Sequence, residues 1–184
     1  MSSGNGRVTV FLDRDGVINR RRPDHVKCWE EFEFLPGSLD ALASLRQMGV
    51  HIIVITNQAV VGRGLITEED LEQIHRRMIE VVESRGGRID RIYACLHVPE
   101  LHCACRKPGT EHLRRASAEL GIDLRESFMV GDSETDVRAA KAAGSRPVLV
   151  SEAEVEPGVD CSVVRDLSAA VQLIAAQAAM AEAI

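Results

Sequence analysis

Val8-Thr9-Val10-Phe11-Leu12-Asp13-Arg14-Asp15-Gly16 is the stretch on which the reading of the whole chain turns. Its first five residues are β-branched, aromatic or aliphatic, the composition of a buried strand, and Asp-Arg-Asp-Gly stops that strand at once. Two carboxylates therefore stand two residues apart just beyond a strand end. Alone, Asp-x-Asp-Gly reads more readily as a turn. The turn reading weakens because a second strand, Phe128-Met129-Val130, runs into Gly131-Asp132-Ser133-Glu134-Thr135-Asp136. Carboxylates gathered at one sheet edge repel each other unless a cation offsets them, and hard oxygen ligands favour Mg²⁺.

Working outward, the segments between these two strands alternate in kind. Pro36-Gly37-Ser38 precedes Leu39, Leu42, Leu45 and Met48, an apolar stripe at helical spacing with Ser38 expected as N-cap and Gly49 as the stop. His51 to Ile55 is a strand without polar alternation, as a central parallel strand covered on both faces requires. Thr67 opens a helix with Glu68, Glu69 and Asp70 in its first turn, where acids suit the dipole, and Leu71, Ile74, Met78 and Val81 behind them. Gly86-Gly87 ends it. Ile92 to Ala94 is a weak strand, Glu111 to Leu120 a helix closed by Gly121, Thr135 to Ala143 a helix closed by Gly144, and Pro147 to Val150 the last strand. Ala169 to Ile184 reads as a surface-packed helix. The order predicts an α/β fold with a single parallel sheet.

In such sheets, ligands bind beyond the carboxyl ends of the strands. The residues there are Asp13 and Asp15, Thr56 and Asn57, Cys95 and His97, and Asp132. Thr56 offers a hydroxyl and Lys107 an ammonium, both suited to phosphate oxygens. With the aspartates they make a set for phosphoryl transfer: nucleophile, metal and charge clamps.

Composition bounds the alternatives. The chain has 184 residues, enough for one domain with a sizeable core, with 45% apolar and 27% charged residues. A formal charge of −6 supplies no field for a nucleic-acid backbone, and Arg20-Arg21-Arg22 is the longest like-charge run. No apolar stretch is long enough for a membrane span, and Met1 to Arg7 lacks the apolar core of a signal peptide. The expectation is a cytoplasmic monomer that acts on a small phosphorylated metabolite and binds neither nucleic acid nor membrane. In that compartment the five cysteines point to a metal or to plain burial rather than to disulfides.

Phe11-Leu12-Asp13-Arg14-Asp15-Gly16, Thr56-Asn57-Gln58, Arg106-Lys107-Pro108 and Gly131-Asp132-x3-Asp136 resemble, in order, the four motifs of the haloacid dehalogenase (HAD) superfamily. The likeness covers roughly residues 8–150 and implies one Rossmann-like phosphatase domain over 1–184. It implies that Asp13 is the nucleophile and forms an aspartyl phosphate, while Asp15 protonates the leaving oxygen and then activates water. Asp13, Asp132 and the backbone carbonyl of Asp15 would hold Mg²⁺, without which a carboxylate attacking a phosphate dianion meets prohibitive repulsion. Thr56 and Lys107 would hold the transferring oxygens, with Asp136 orienting Lys107 or the metal shell.

A second constellation is Cys95-x-His97-x5-Cys103-x-Cys105, a set suited to tetrahedral structural Zn²⁺, with His102 as a rival ligand. Cys28 and Cys161 lie apart and read as buried thiols. The loop runs directly into Arg106-Lys107-Pro108, so zinc would brace the segment that aims Lys107.

This loop resembles two HAD groups, the D-glycero-D-manno-heptose 1,7-bisphosphate 7-phosphatases and the histidinol-phosphate phosphatases. Asn19, Phe32-x-Phe34-Leu35-Pro36-Gly37 and Thr56-Asn57-Gln58-x3-Gly62-Arg63-Gly64 are more similar to the heptose group. Neither insertion point is long enough for a large cap domain. Arg20 to Asp24, Ala59 after Gln58 and Ser133 after Asp132 depart from the heptose pattern. Asn19, Asn57 and Arg106 are the candidate substrate contacts, with one of Arg20 to Arg22 as a partner for a second phosphate. Three readings stand at this point: a heptose-bisphosphate phosphatase, a histidinol-phosphate phosphatase, and a non-enzymatic zinc-braced binding protein on the same scaffold.

Overall fold

A computed structural model describes residues 8–153 and 160–182. Met1 to Arg7 and the last two residues of the expected C-terminal helix lie outside the described residues. The strands are β1 (Thr9–Leu12), β2 (His51–Asn57), β3 (Arg91–Cys95), β4 (Ser127–Gly131), β5 (Arg146–Val150) and β6 (Ser162–Val164). The helices are α1 (Ser38–Gln47), α2 (Ala59–Gly62), α3 (Glu68–Ser84), α4 (Glu111–Leu120), α5 (Glu134–Ala143) and α6 (Leu167–Glu182). All strand pairings are parallel, in the order β3-β2-β1-β4-β5-β6.

The unbroken apolar runs follow from helices covering both faces of this sheet. Val10 and Leu12 of β1, Ile52 and Val54 of β2, and Phe128 and Val130 of β4 pack with Leu42 and Leu45 of α1, Ile74 and Met78 of α3, and Ile174 of α6. The alternate residues Phe11, Ile53, Ile55 and Met129 pack with Leu113 and Ala116 of α4 and Ala139 and Ala140 of α5. Each large side chain buried this way contributes about 1.5–3 kcal/mol. The period of two survives, but both phases are apolar.

Thr67 caps α3 as expected, accepting from the Asp70 amide while Asp70 accepts from the Thr67 amide at 2.9 Å. Ser38 does not cap α1. The cap is Gly37, whose φ of 75° favours glycine and whose carbonyl accepts from Ala41, so Ser38 becomes the first helical residue. Pro147 to Val150 is not the last strand either. Ser162–Val164 pairs beside it as β6, a three-residue edge strand too short to carry a periodicity.

The chain reverses direction across the sheet on either side of β1, whose neighbours are β2 and β4. That switch point opens a crevice at the carboxyl ends of these three strands. Between β1 and α1 the chain makes a loop with one short 3₁₀ turn at Trp29–Glu31, stapled by Trp29 stacked on Phe32 at 5.1 Å.

Candidate active site

Asp13 follows β1 directly, and its amide donates to the Val130 carbonyl at 2.9 Å, which continues the sheet into the loop. Its side chain is buried. Two glycines let the carboxylates close in. A Cβ at Gly16, where φ is 91°, would overlap the Asp132 carboxylate, and a Cβ at Gly131 would overlap that of Asp136.

Asp13, Asp132 and Asp136 can each bring one carboxylate oxygen within 4.8 Å of the others. Burial pushes Asp13 up to about 7 against the pull of Lys107, and pushes Asp132 up to about 6 against the pull of Arg21. Such a cluster is short of positive charge and fits a hard divalent ion. Arg21 supplies part of that charge from the loop, 2.9 Å from Asp132.

Lys107 is buried between two acids. Its Nζ lies 2.8 Å from Asp13 Oδ1 and 2.7 Å from Asp136 Oδ1, and it donates to the Ile55 carbonyl at 2.8 Å. Burial opposes its charge, but the two carboxylates outweigh that and raise its pKa. Asp136 thus pairs with Lys107 and also belongs to the acid cluster. Its other oxygen accepts from the Ser133 hydroxyl at 2.6 Å and amide at 3.1 Å, which ties it to the start of α5.

Thr56 sits in β2 with its hydroxyl accepting from Gln58 Nε2 at 2.8 Å, which leaves the hydroxyl proton for a phosphate oxygen. Asp15 accepts from Arg14, Asn19 and Gln58. Burial alone would raise its pKa, but the Arg14 charge and these bonds hold it below the usual carboxylate range.

The three residues assigned to the substrate are placed differently from one another. Asn57 commits its amide to the Lys107 backbone, accepting from the Lys107 N–H at 3.0 Å and donating to its carbonyl at 3.2 Å. It latches the Lys107 loop while still lining the crevice. Asn19 is fully buried and donates to Asp15 and to the Arg20 carbonyl, so it faces the catalytic loop. Arg106 lines the crevice, bonded to the His97 carbonyl at 3.3 Å. Of the triple arginine, Arg21 and Arg22 line the crevice, whereas Arg20 pairs outward with Glu33. The crevice has a volume of about 430 Å³, in the range of small-ligand sites.

Three residues given no role in the sequence reading join this site: Arg14, Gln58 and His75. Arg14 and Gln58 lie inside recognisable motifs. His75 lies on α3 with no local signal beyond its place beside the apolar stripe.

Cys95, His97, Cys103 and Cys105 converge at the end of β3. Contacts among their sulfurs and His97 Nδ1 run from 3.2 to 3.8 Å. Ligands about 2.3 Å from a central ion form a tetrahedron with edges of about 3.8 Å. Burial, then the neighbouring thiols, pushes Cys105 up to about 12, so the three sulfurs resist ionising together without a cation. His102 is exposed and outside the cluster. Cys161 is half-buried and Cys28 exposed, which corrects the expectation of a buried thiol at position 28.

A HAD-hydrolase-like family model matches residues 104–160. A D-glycero-β-D-manno-heptose-1,7-bisphosphate 7-phosphatase of Pseudomonas aeruginosa is 41% identical over 144 residues, 78% of this chain and 81% of that protein. One from Helicobacter pylori is 40% identical over 136 residues, 73% of this chain and 78% of that protein. The D,D-heptose 1,7-bisphosphate phosphatase of B. bronchiseptica, solved with magnesium and phosphate, superposes with a TM-score of 0.85 at 35% identity, covering 92% of this chain and 99% of that one. The order of four motifs, the parallel sheet and these relatives agree: the chain belongs to the HAD superfamily of phosphoric monoester hydrolases, in the family of the D-glycero-β-D-manno-heptose-1,7-bisphosphate 7-phosphatases.

Proposed function

We propose that this phosphatase removes the 7-phosphate of D-glycero-D-manno-heptose 1,7-bisphosphate through an aspartyl phosphate on Asp13. The observation that supports the chemistry is the buried Asp13, paired with Lys107 at a sheet edge where Asp132 and Asp136 also gather. Asp13 Oδ attacks phosphorus, and the ester bond breaks as Asp15, which must take up a proton when the negative phosphate binds beside it, passes that proton to the departing sugar oxygen. Water then attacks the phosphorus, Asp15 takes its proton, the bond to Asp13 breaks and phosphate leaves. Thr56 donates its hydroxyl proton to the phosphoryl oxygens, and the Lys107 charge steadies Asp13.

Mg²⁺, held by Asp13, Asp132 and the Asp15 carbonyl, would neutralise charge on phosphate and nucleophile. Cys95, His97, Cys103 and Cys105 would hold a structural Zn²⁺, bracing the loop that leads into Arg106 and Lys107.

The phosphoryl site is blind to the rest of the substrate, so specificity comes from the cationic wall of the crevice. Arg21, Arg22 and Arg106 suit a second phosphate through charge-assisted bonds. Histidinol phosphate carries an amine there, a poor neighbour for three guanidinium groups. The test is kcat/KM for both substrates side by side. Heptose 1,7-bisphosphate is expected to be preferred by at least about tenfold, the worth of one charged contact. A preference for histidinol phosphate overturns the substrate and leaves the mechanism standing.

A further inference from the structure

Both oxygens of Asp15 are occupied. Oδ1 accepts from Arg14 Nη2 at 3.1 Å and Asn19 Nδ2 at 2.9 Å. Oδ2 accepts from Arg14 Nε at 3.1 Å and Gln58 Nε2 at 2.7 Å. A carboxylate offers about four lone-pair sites, and a planar guanidinium fork fixes the plane in which they lie.

The fork is itself held at its other end. Arg14 is 1% exposed, a full-length cation inside the protein. Nη1 meets His75 Nε2 at 3.1 Å, and Nη2 donates to Gln58 Oε1 at 3.1 Å. The guanidinium carbon lies 5.8 Å from the centre of the Phe32 ring. Arginine has no acceptor, so His75 Nε2 must accept, which assigns a neutral imidazole with its proton on Nδ1.

A purely structural reading would make Arg14 a core filler against Phe32. That reading accounts poorly for the cost. Burying a cation carries several kcal/mol of desolvation, and an apolar side chain would fill the same space without it. The cation instead grips, and keeps ionised, the one carboxylate that must take a proton from the attacking water, and it recruits a histidine from α3 to do so.

We propose that Arg14 is a positioning residue for Asp15, with His75 as its anchor on α3, and that its side chain acts through Asp15 rather than on the phosphoryl group. The inference rests on Asp15 being the acid and base of the proposed reaction. Misaiming that carboxylate by about 1 Å costs about a hundredfold. Phosphoryl transfer from an ester whose leaving group needs no proton is spared.

p-Nitrophenyl phosphate separates the two steps, because p-nitrophenolate departs unprotonated while hydrolysis of the aspartyl phosphate still needs Asp15. In rapid-quench experiments, Arg14→Lys keeps the charge and loses the fork. It is expected to release the first p-nitrophenolate at near wild-type rate, then turn over about a hundredfold more slowly as phosphorylated enzyme accumulates. His75→Leu should move the same way by about tenfold, and His75→Gln, whose amide oxygen can accept from Arg14, should recover most of that loss. The proposal is overturned if both rates stay at wild type in folded variants, or if both fall together. Should Arg14→Lys fail to fold, the two His75 variants decide, and equal turnover in them overturns it. If wild-type enzyme forms no phosphorylated Asp13, the reading of the reaction fails and the positioning role falls with it.

Discussion

Lys107 Nζ stands 2.8 Å from Asp13 Oδ1, so the carboxylate proposed as nucleophile is paired with a buried cation. The same ammonium lies 2.7 Å from Asp136 Oδ1 and donates its remaining proton to Ile55. With its donors committed, Lys107 serves the nucleophile at least as much as the phosphate oxygens. Asn57 fixes the lysine's backbone from β2, so the pair is set by two elements.

Lys107→Met leaves two buried carboxylates without that cation. Removing one partner of a buried ion pair costs about 3–5 kcal/mol. The urea midpoint should fall accordingly in metal-free protein, and added Mg²⁺ should restore part of the loss by replacing the missing charge. An unchanged midpoint without Mg²⁺ would show that the pair is not formed.

Asp13→Asn keeps the shape of the side chain and removes its nucleophilic charge. Turnover should drop by several orders of magnitude while the chain stays folded, because Lys107 keeps Asp136 as an ionic partner. Asp15→Asn should be severely slowed as well, with phosphorylated enzyme detectable from substrates with good leaving groups. Retained activity in Asp13→Asn would sink the mechanism.

Protein purified without chelator should carry one zinc per chain by elemental analysis. Cys103→Ser should lose it and drop in melting temperature and activity together, because the loop from Cys95 to Cys105 runs directly into Lys107. Zinc-free wild-type protein with full stability would refute a structural role for the cluster.

His75 gives a pH signature. Burial first, then the Arg14 charge, lowers its pKa to about 3, below the 6.5 of an unperturbed histidine. Between those values the unfolded chain binds more protons at this site than the folded one, so stability rises with pH across the window. The His75 contribution is whole above about 6.5 and drains away as pH falls toward about 3. Thermal melts from pH 7 to pH 4.5 should show wild type losing stability more steeply than His75→Gln. Parallel curves would place His75 in water.

Much of this site was readable because its parts are local. Asp13 and Asp15 follow β1 in the chain, Thr56 lies near the end of β2, and Asp132 follows β4, so locating the strands located these side chains. The cysteine cluster was readable for the same reason, since its four members fall within eleven residues. The capping of α1 was misread because Ser38 and Gly37 compete for one position, and a required φ of 75° gives it to glycine. The substrate residues were harder still. Asn57 commits both amide atoms to the Lys107 backbone and Asn19 commits Nδ2 to Asp15 and the Arg20 carbonyl, partners that only the folded chain brings near.

Spacing and residue type alone determined the parallel sheet, the acids at its edge and the sulfur–imidazole quartet, because each strand, strand-end acid and cysteine loop is marked by its own local segment. Tertiary structure alone decided that Arg14 faces His75 across sixty-one positions, that Lys107 divides itself between Asp13 and Asp136, and that Arg21 rather than Arg20 turns to Asp132. The physical reason is burial. A charged side chain taken out of water must find its partner within about 3 Å. Which partner that is depends on how helices and loops from distant parts of the chain pack over the sheet.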